Sequence, residues 1–204
     1  MAESWKVVGL DLAGKETRPT GVAVLTPDSL ACLTLLTDEE VFGFVTSSDP
    51  DLVAIDAPLS KPSSGWLRDS DRELIRRGLR VLPPMLGPMR SLTERGMRLA
   101  SGLRALGVRV VEVHPGSTAK VLGVPRTAAG VLEALKKVGI SVRHSPGRVS
   151  SIHEVDAALA ALTGALLLMG RAEVVGGPGG IALPRRAEEG IRVKASQDRP
   201  QDGA

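Results

Sequence analysis

Three short apolar runs in this chain each carry one carboxylate. "VVGLDLAGK", residues 7–15, places Asp11 in a segment that otherwise reads as a buried strand. "DLVAIDAPLS" ends its apolar run on Asp56, and "VRVVEVHPG" holds Glu112 inside another. A charge in an apolar setting is penalised strongly enough that it is normally paired, bound to a metal or shifted in pKa. A chain that repeats this pattern on three strand-like segments must fold so that the acids are compensated.

The spacing between these runs sets the fold class. Residues 6–12 predict a first strand. "TGVAVLTPDSLACLTLL" predicts two more, turned at Thr26-Pro27-Asp28-Ser29, where turn formers separate β-branched runs. Those links are too short for crossovers, so the opening three strands are antiparallel. Thr37 caps a short helix with acids in its first turn, and residues 52–56 form a fourth strand. Ser70 with Glu73, and Ser91 with Glu94, have capping-box spacing and open two helices that stop at Gly78 and Gly107. Residues 108–113 form a fifth strand, and "RTAAGVLEALKKVG" is a helix ended by Gly139.

Ser151 and Glu154 then box the start of a helix striped by Ile152, Val155, Leu159, Leu162, Leu166 and Met169. His153 and Asp156 lie together beside that stripe, away from an outward face carrying Glu154. "EVVGGPGGIALP" reads as a short hairpin. Its glycines match no phosphate-binding loop and are turn residues. The expectation is an α/β fold with a mixed sheet of about five strands and helices on both faces. One domain spans 1–184 with a helical insertion around 60–106, and a polar, mobile tail covers 185–204.

With 204 residues, 43% hydrophobic and 24% charged, the composition is that of a globular chain. A lone cysteine, Cys32, forms neither an internal disulfide nor a thiolate zinc site, which makes the cytoplasm the default compartment. No apolar segment is long enough to span a membrane, and the start lacks the apolar core of a signal peptide. The net charge of +3 permits nucleic-acid binding without demanding it, while 2% aromatic content argues against a base-stacking platform. A homodimer is compatible with the chain.

The ordered blocks "GLDLAG", "RPTGVAVL", "VAIDAPLS", "RDSDRELIRRG", "VVEVHPGSTAK", "HEVDAALAAL" and "GIALP" run to about Pro184. Together they resemble domain-of-unknown-function family 429, described as predicted nucleases with a ribonuclease H-like fold. The resemblance implies one acid from the first strand, one from a central strand and one from the last helix. Here these are Asp11, Asp56 and Asp156, with Glu112 as an additional acid near the same end of the sheet.

Hard cations such as Mg2+ or Mn2+ take oxygen ligands, and two of them about 4 Å apart activate a water and stabilise the leaving oxygen of a phosphodiester. The expected metal set is Asp11, Asp56, Glu112 and Asp156, with His153 as a neighbour or proton shuttle. Lys15, Arg18, Asp71, Arg72 and His114 are the expected substrate contacts, the arginine fork suiting phosphate. Each has a plainer reading. Asp11 and Asp56 can accept turn N–H groups, Asp156 can serve the helix dipole, and His114 can bond its own turn. Arg68, Asp71, Arg72 and Glu73 can form a solvated helix face, and Lys15 and Arg18 a solvated loop. Trp66 and Met85 to Met89 offer either a lid or ordinary apolar contacts. The function expected is a metal-dependent nuclease acting on DNA or RNA. An ATP-binding phosphotransferase of the same fold core, or a nucleic-acid-binding module without turnover, are the alternatives.

Overall fold

The computed structural model describes residues 4–143 and 149–185. Strands β1 (Val7–Asp11), β2 (Thr20–Leu25) and β3 (Leu30–Leu35) form the antiparallel opening. Helix α1 (Asp38–Ser48) leads to β4 (Leu52–Asp56), which lies parallel to β1. Helices α2 (Asp69–Arg76) and α3 (Met89–Ala105) precede β5 (Val110–Val113), parallel to β4. Helices α4 (Pro115–Leu122), α5 (Ala128–Lys137) and α6 (Ile152–Leu168) follow, then the hairpin β6 (Ala172–Val175) and β7 (Ile181–Pro184). The strand order is β3-β2-β1-β4-β5-β7-β6.

The expected mixed α/β sheet is present with seven strands rather than about five. The closing hairpin accounts for the extra pair: β7 runs parallel to β5, through Glu112–Ile181 and Val113–Ala182. Its turn uses Gly176, Gly177 and Gly179 at positive φ, as turn residues should.

Alternation along the strands divides the core in two. Val8, Leu10, Val53 and Ile55 pack with Val41 and Val45 of α1 and Leu99 and Leu103 of α3. Val7, Ala54, Val111 and Val113 point the other way, to residues of α4, α5 and α6. Burying each Val, Leu or Ile side chain contributes about 1.5–3 kcal/mol.

Helix α6 is the central helix, buried all round from Glu154 to Leu166. It is apolar on every side because the sheet covers one side and α4 and α5 pack against it. Glycines allow its close approach. A Cβ on Gly9 would stand 2.1 Å from the carbonyl oxygen of Ala157, and one on Gly21 would stand 2.1 Å from that of His153. From the helix side, a Cβ on Gly164 would meet Val7 at 2.7 Å.

Several helix starts differ from their sequence reading. The α1 cap holds, since Thr37 and Glu40 form a capping box. Ser70, by contrast, is buried inside α2, whose first turn is closed by the Asp71 carboxylate accepting the Arg68 N–H at 2.8 Å. Helix α3 begins at Met89, before Ser91, whose hydroxyl donates to the Pro88 carbonyl. Helix α4 was not anticipated, although Pro115 at its first position and Gly123 past its end are ordinary start and stop signals. Glu154 is buried rather than outward, because its carboxylate turns back to accept the N–H of Ser150. Most of the polar tail lies outside the described residues.

The close approach of α6 makes a direct prediction. Gly21→Ala sets a side chain against main-chain atoms that cannot rotate away. It should destabilise the protein by about 1–3 kcal/mol, read as a lower urea midpoint at unchanged slope. An unchanged midpoint would show that α6 is not held at this distance.

Candidate carboxylate site at the strand ends

Asp11 closes β1 and Asp56 closes β4, and the two are direct partners in the parallel register. Alternation sends both side chains to the α6 face, since their neighbours Leu10 and Ile55 belong to the opposite core. Above them stands the first turn of α6. His153 Nδ1 lies 2.6 Å from Asp11 Oδ2, and because an ionised carboxylate only accepts, Nδ1 carries the proton. Asp156, one turn further on, is buried and receives Arg126 through Nε at 2.9 Å and through Nη2. The glycines at 9 and 21 make this meeting possible by seating α6 on β1 and β2.

The three aspartates stand close enough to feel one another. Burial pushes the Asp56 carboxyl well above the usual carboxylate range, and the charges of Asp11 and Asp156 push it further. Asp11 is also raised, first by burial and then by Asp156, against the hydrogen bond from His153. Arg126 is raised above its ordinary value, chiefly by its hydrogen bond to Asp156. Among the described residues no group donates to the Asp56 carboxyl, which is partly exposed at the pocket.

A cavity of about 200 Å3 opens at this edge, lined by Asp11, Asp56, Met89, Leu92, Glu112 and His114 among others. His114 caps α4: the Ser117 N–H donates to its Nδ1, which leaves the proton on Nε2. Burial lowers the His114 pKa, and Arg126 lowers it further. Lys15 and Arg18 are exposed and line an adjoining cavity of about 440 Å3 that shares Met89 and Leu92 with the first. Trp66 is exposed and does not cover the site, whereas Met89 and Leu82 form part of its wall.

Two of the expected roles need correction. Glu112 pairs with Ile55 in the register, so its side chain leaves the sheet on the face opposite Asp11 and Asp56. There both of its oxygens are taken by Arg68, through Nη1 and Nη2 at 2.7 Å each, and the Leu59 N–H adds a third bond. Asp71 receives the same guanidinium through Nε at 3.0 Å and Nη2 at 2.7 Å. Desolvation alone would lower Arg68, but Asp71 and Glu112 outweigh it and hold the guanidinium charged. Arg68 and Asp71 are therefore buried, not a solvated face, and both oxygens of Glu112 are engaged by Arg68 on the face away from Asp11 and Asp56. The expected contact of Asp71 with phosphate gives way to this pairing, since both of its oxygens already accept from Arg68. Arg72 is exposed and pairs with Asp69.

The donor set of Asp11, Asp56 and Asp156 consists of hard oxygens, the type Mg2+ and Mn2+ take, and a cation beside Asp56 would favour the ionised form that burial and its neighbours disfavour. In chemistry it fits a divalent cation. In spacing the set is open: among the described residues no three His, Cys, Asp or Glu side chains are grouped to hold one ion. Arg126 engages Asp156, and His153 engages Asp11.

Fold and site together define an α/β protein with a carboxylate-bearing edge where parallel strands end. A family model described as "Protein of unknown function (DUF429)" matches residues 9–179, and the chain belongs to that family. It is the family that the sequence blocks point to. Similar solved structures include Thermus thermophilus RuvC alone and in complex with Holliday junction substrate. Each is 16% identical with a TM-score of 0.46, over 81% of this chain and 96% of that one. No curated protein matches the sequence. Among the described residues no helix is long and apolar enough to cross a membrane.

Two outcomes follow from these charges. Arg68→Met leaves Glu112 and Asp71 buried without their partner and should cost about 3–5 kcal/mol by urea denaturation; a loss near zero would contradict the burial described. Asp56, whose folded pKa is raised, contributes stability that is fully present below its unfolded pKa and lost as pH rises through the folded value. Asp56→Asn, measured with a chelator, should therefore melt higher than the parent at pH 8 and lose that advantage towards pH 4. Each kcal/mol gained corresponds to about 2–4 °C. An advantage that grew on acidification would reverse the assigned sign.

Proposed function

We propose that this chain is a metal-dependent phosphodiester hydrolase acting on nucleic acid at the edge where β1 and β4 end. The observation that carries the reading is the in-register pair Asp11 and Asp56 on adjacent parallel strands, with Asp156 on the helix above them. Asp11, Asp56 and Asp156 would hold Mg2+ or Mn2+. Such an ion, when bound, supplies a Lewis acid for the phosphoryl oxygens and a more acidic water.

The protein's own groups divide the remaining work. His153 keeps its Nδ1–H on Asp11, which leaves Nε2 with a lone pair on a partly exposed ring, able to take a proton from an attacking water. His114 offers an Nε2–H from the pocket wall to a phosphate oxygen. Lys15 and Arg18, lining the adjoining cavity, give a path for the next phosphates along the strand. Glu112, Arg68 and Asp71 line the other side of the same pocket and, bonded to one another, position the segment that walls it.

The test is Mn2+ titration by calorimetry on the intact protein and on Asp11→Asn, followed by incubation with labelled single- and double-stranded DNA and RNA. Metal binding and strand cleavage are expected in the intact protein and neither in the variant. His153→Ala should bind metal and cleave about 10²–10⁴-fold more slowly. Metal-free, salt-dependent binding without cleavage would replace this reading with that of a nucleic-acid-binding module.

A further inference from the structure

Arg95, Arg68 and Arg126 are each paired with a carboxylate near the ends of the strands, and they are held very differently. Arg95 is buried, and its guanidinium donates to Asp38 at 2.7 Å and to the carbonyls of Ala13 and Leu36 at 2.7 and 3.0 Å. Arg68 is buried between Asp71 and Glu112. Both are locked: moving Arg68 strands two buried carboxylates, and moving Arg95 breaks the bonds of a guanidinium that is itself buried. Arg126 differs. Its side chain is 47% exposed while that of its partner Asp156 is 6% exposed, and Asp156 is its one hydrogen-bond partner among the described residues.

Arg126 also arrives on a short link rather than on a rigid element. It lies between the end of α4 at Gly123 and the start of α5, where Thr127 is the cap. From there the guanidinium reaches over the sheet edge to Asp156, and its charge is felt by Asp56 and Asp11 as well. It thus supplies a positive charge to the same carboxylates that would receive a cation.

We infer that Arg126 is a built-in counter-ion for the aspartate edge, an exchangeable positive charge that holds Asp156 until a divalent cation displaces it. The inference rests on the reading that Asp11, Asp56 and Asp156 take such an ion. It accounts for the open spacing of the donor set: Asp156 is engaged by an internal cation, and swinging Arg126 into solvent frees both of its oxygens. The exchange is an ion swap with no covalent step. Its cost is one charge-assisted fork, and the released guanidinium is rehydrated because half of its side chain already meets water.

The consequence is a competition that can be measured without any turnover. Arg126→Met and Arg126→Gln should bind Mn2+ roughly tenfold or more tightly than the parent by calorimetry, since a hydrogen bond between charged groups no longer opposes the ion. Arg126→Lys, which keeps the charge but not the fork, should fall between. The variants should also melt lower than the parent in chelator, because Asp156 is left unpaired, and recover on adding Mn2+, which reports that they remain folded. Binding that is unchanged or weaker in both neutral variants, with the parent binding normally, overturns the counter-ion assignment and leaves the metal reading standing. No Mn2+ binding by the parent or by any variant overturns both. Binding that appears only when Arg126 is removed supports both, with Arg126 as the barrier.

Discussion

The close seating of α6 on β1 and β2 is the contact on which the rest of the structure depends. It requires no side chain at positions 9 and 21, where main-chain atoms of the helix occupy the space a Cβ would take. The same contact completes the core on one face of the sheet and delivers the first turn of α6 to the end of β1. Stability and site geometry are therefore one constraint. His153 meets Asp11 at hydrogen-bond distance because Gly21 lets the His153 carbonyl lie on β2, not because a flexible loop happens to bring them together.

The parts of the site that sequence reading recovers are those with a local signal. Asp11 and Asp56 each terminate an apolar run, and His153 and Asp156 sit three apart behind a capping box. Glu112 shows where that reading stops. In sequence, "VVEV" looks like another strand with an acid, but its face is set by pairing with Ile55, a register that only the folded sheet contains. The run alone therefore places Glu112 as an additional acid beside the aspartates, whereas its side chain leaves the sheet on the opposite face. Arg68 and Asp71 were hidden for a related reason: their spacing suits a solvated helix, and nothing local reveals an acid arriving from β5. Arg126 carries no periodic signal at all, and only the fold brings it to Asp156. The hairpin's turn was readable from its glycines, while its attachment to β5 is a non-local parallel pairing.

The two faces of the sheet treat charge in opposite ways. On the α2 side, Glu112 and Asp71 share Arg68 in a dry, closed network whose buried donors and acceptors are all satisfied. Such a network gives position rather than chemistry. It ties residues 59–71 to the end of β5, and so fixes the start of the segment whose later residues, Leu82 and Met89, wall the pocket. On the α6 side, three aspartates face one arginine and one histidine, both partly exposed, and Asp56 faces neither directly. A structural network has no reason to leave its balance incomplete where removing a carboxylate would be simpler.

That contrast is what assigns a role to each acid. A buried carboxylate kept for stability alone should resemble Glu112, with every oxygen engaged by a group that cannot leave. Asp56 and Asp156 are the reverse: one has no hydrogen-bond partner among the described residues, and the other is held by a side chain that can swing into water. Both stand where β1, β4 and β5 end together, the edge of a parallel array at which ligands are commonly received. Desolvation and the neighbouring carboxylates penalise the ionised form of Asp56, and a positively charged ligand at the aspartates is the simplest way for that penalty to be relieved.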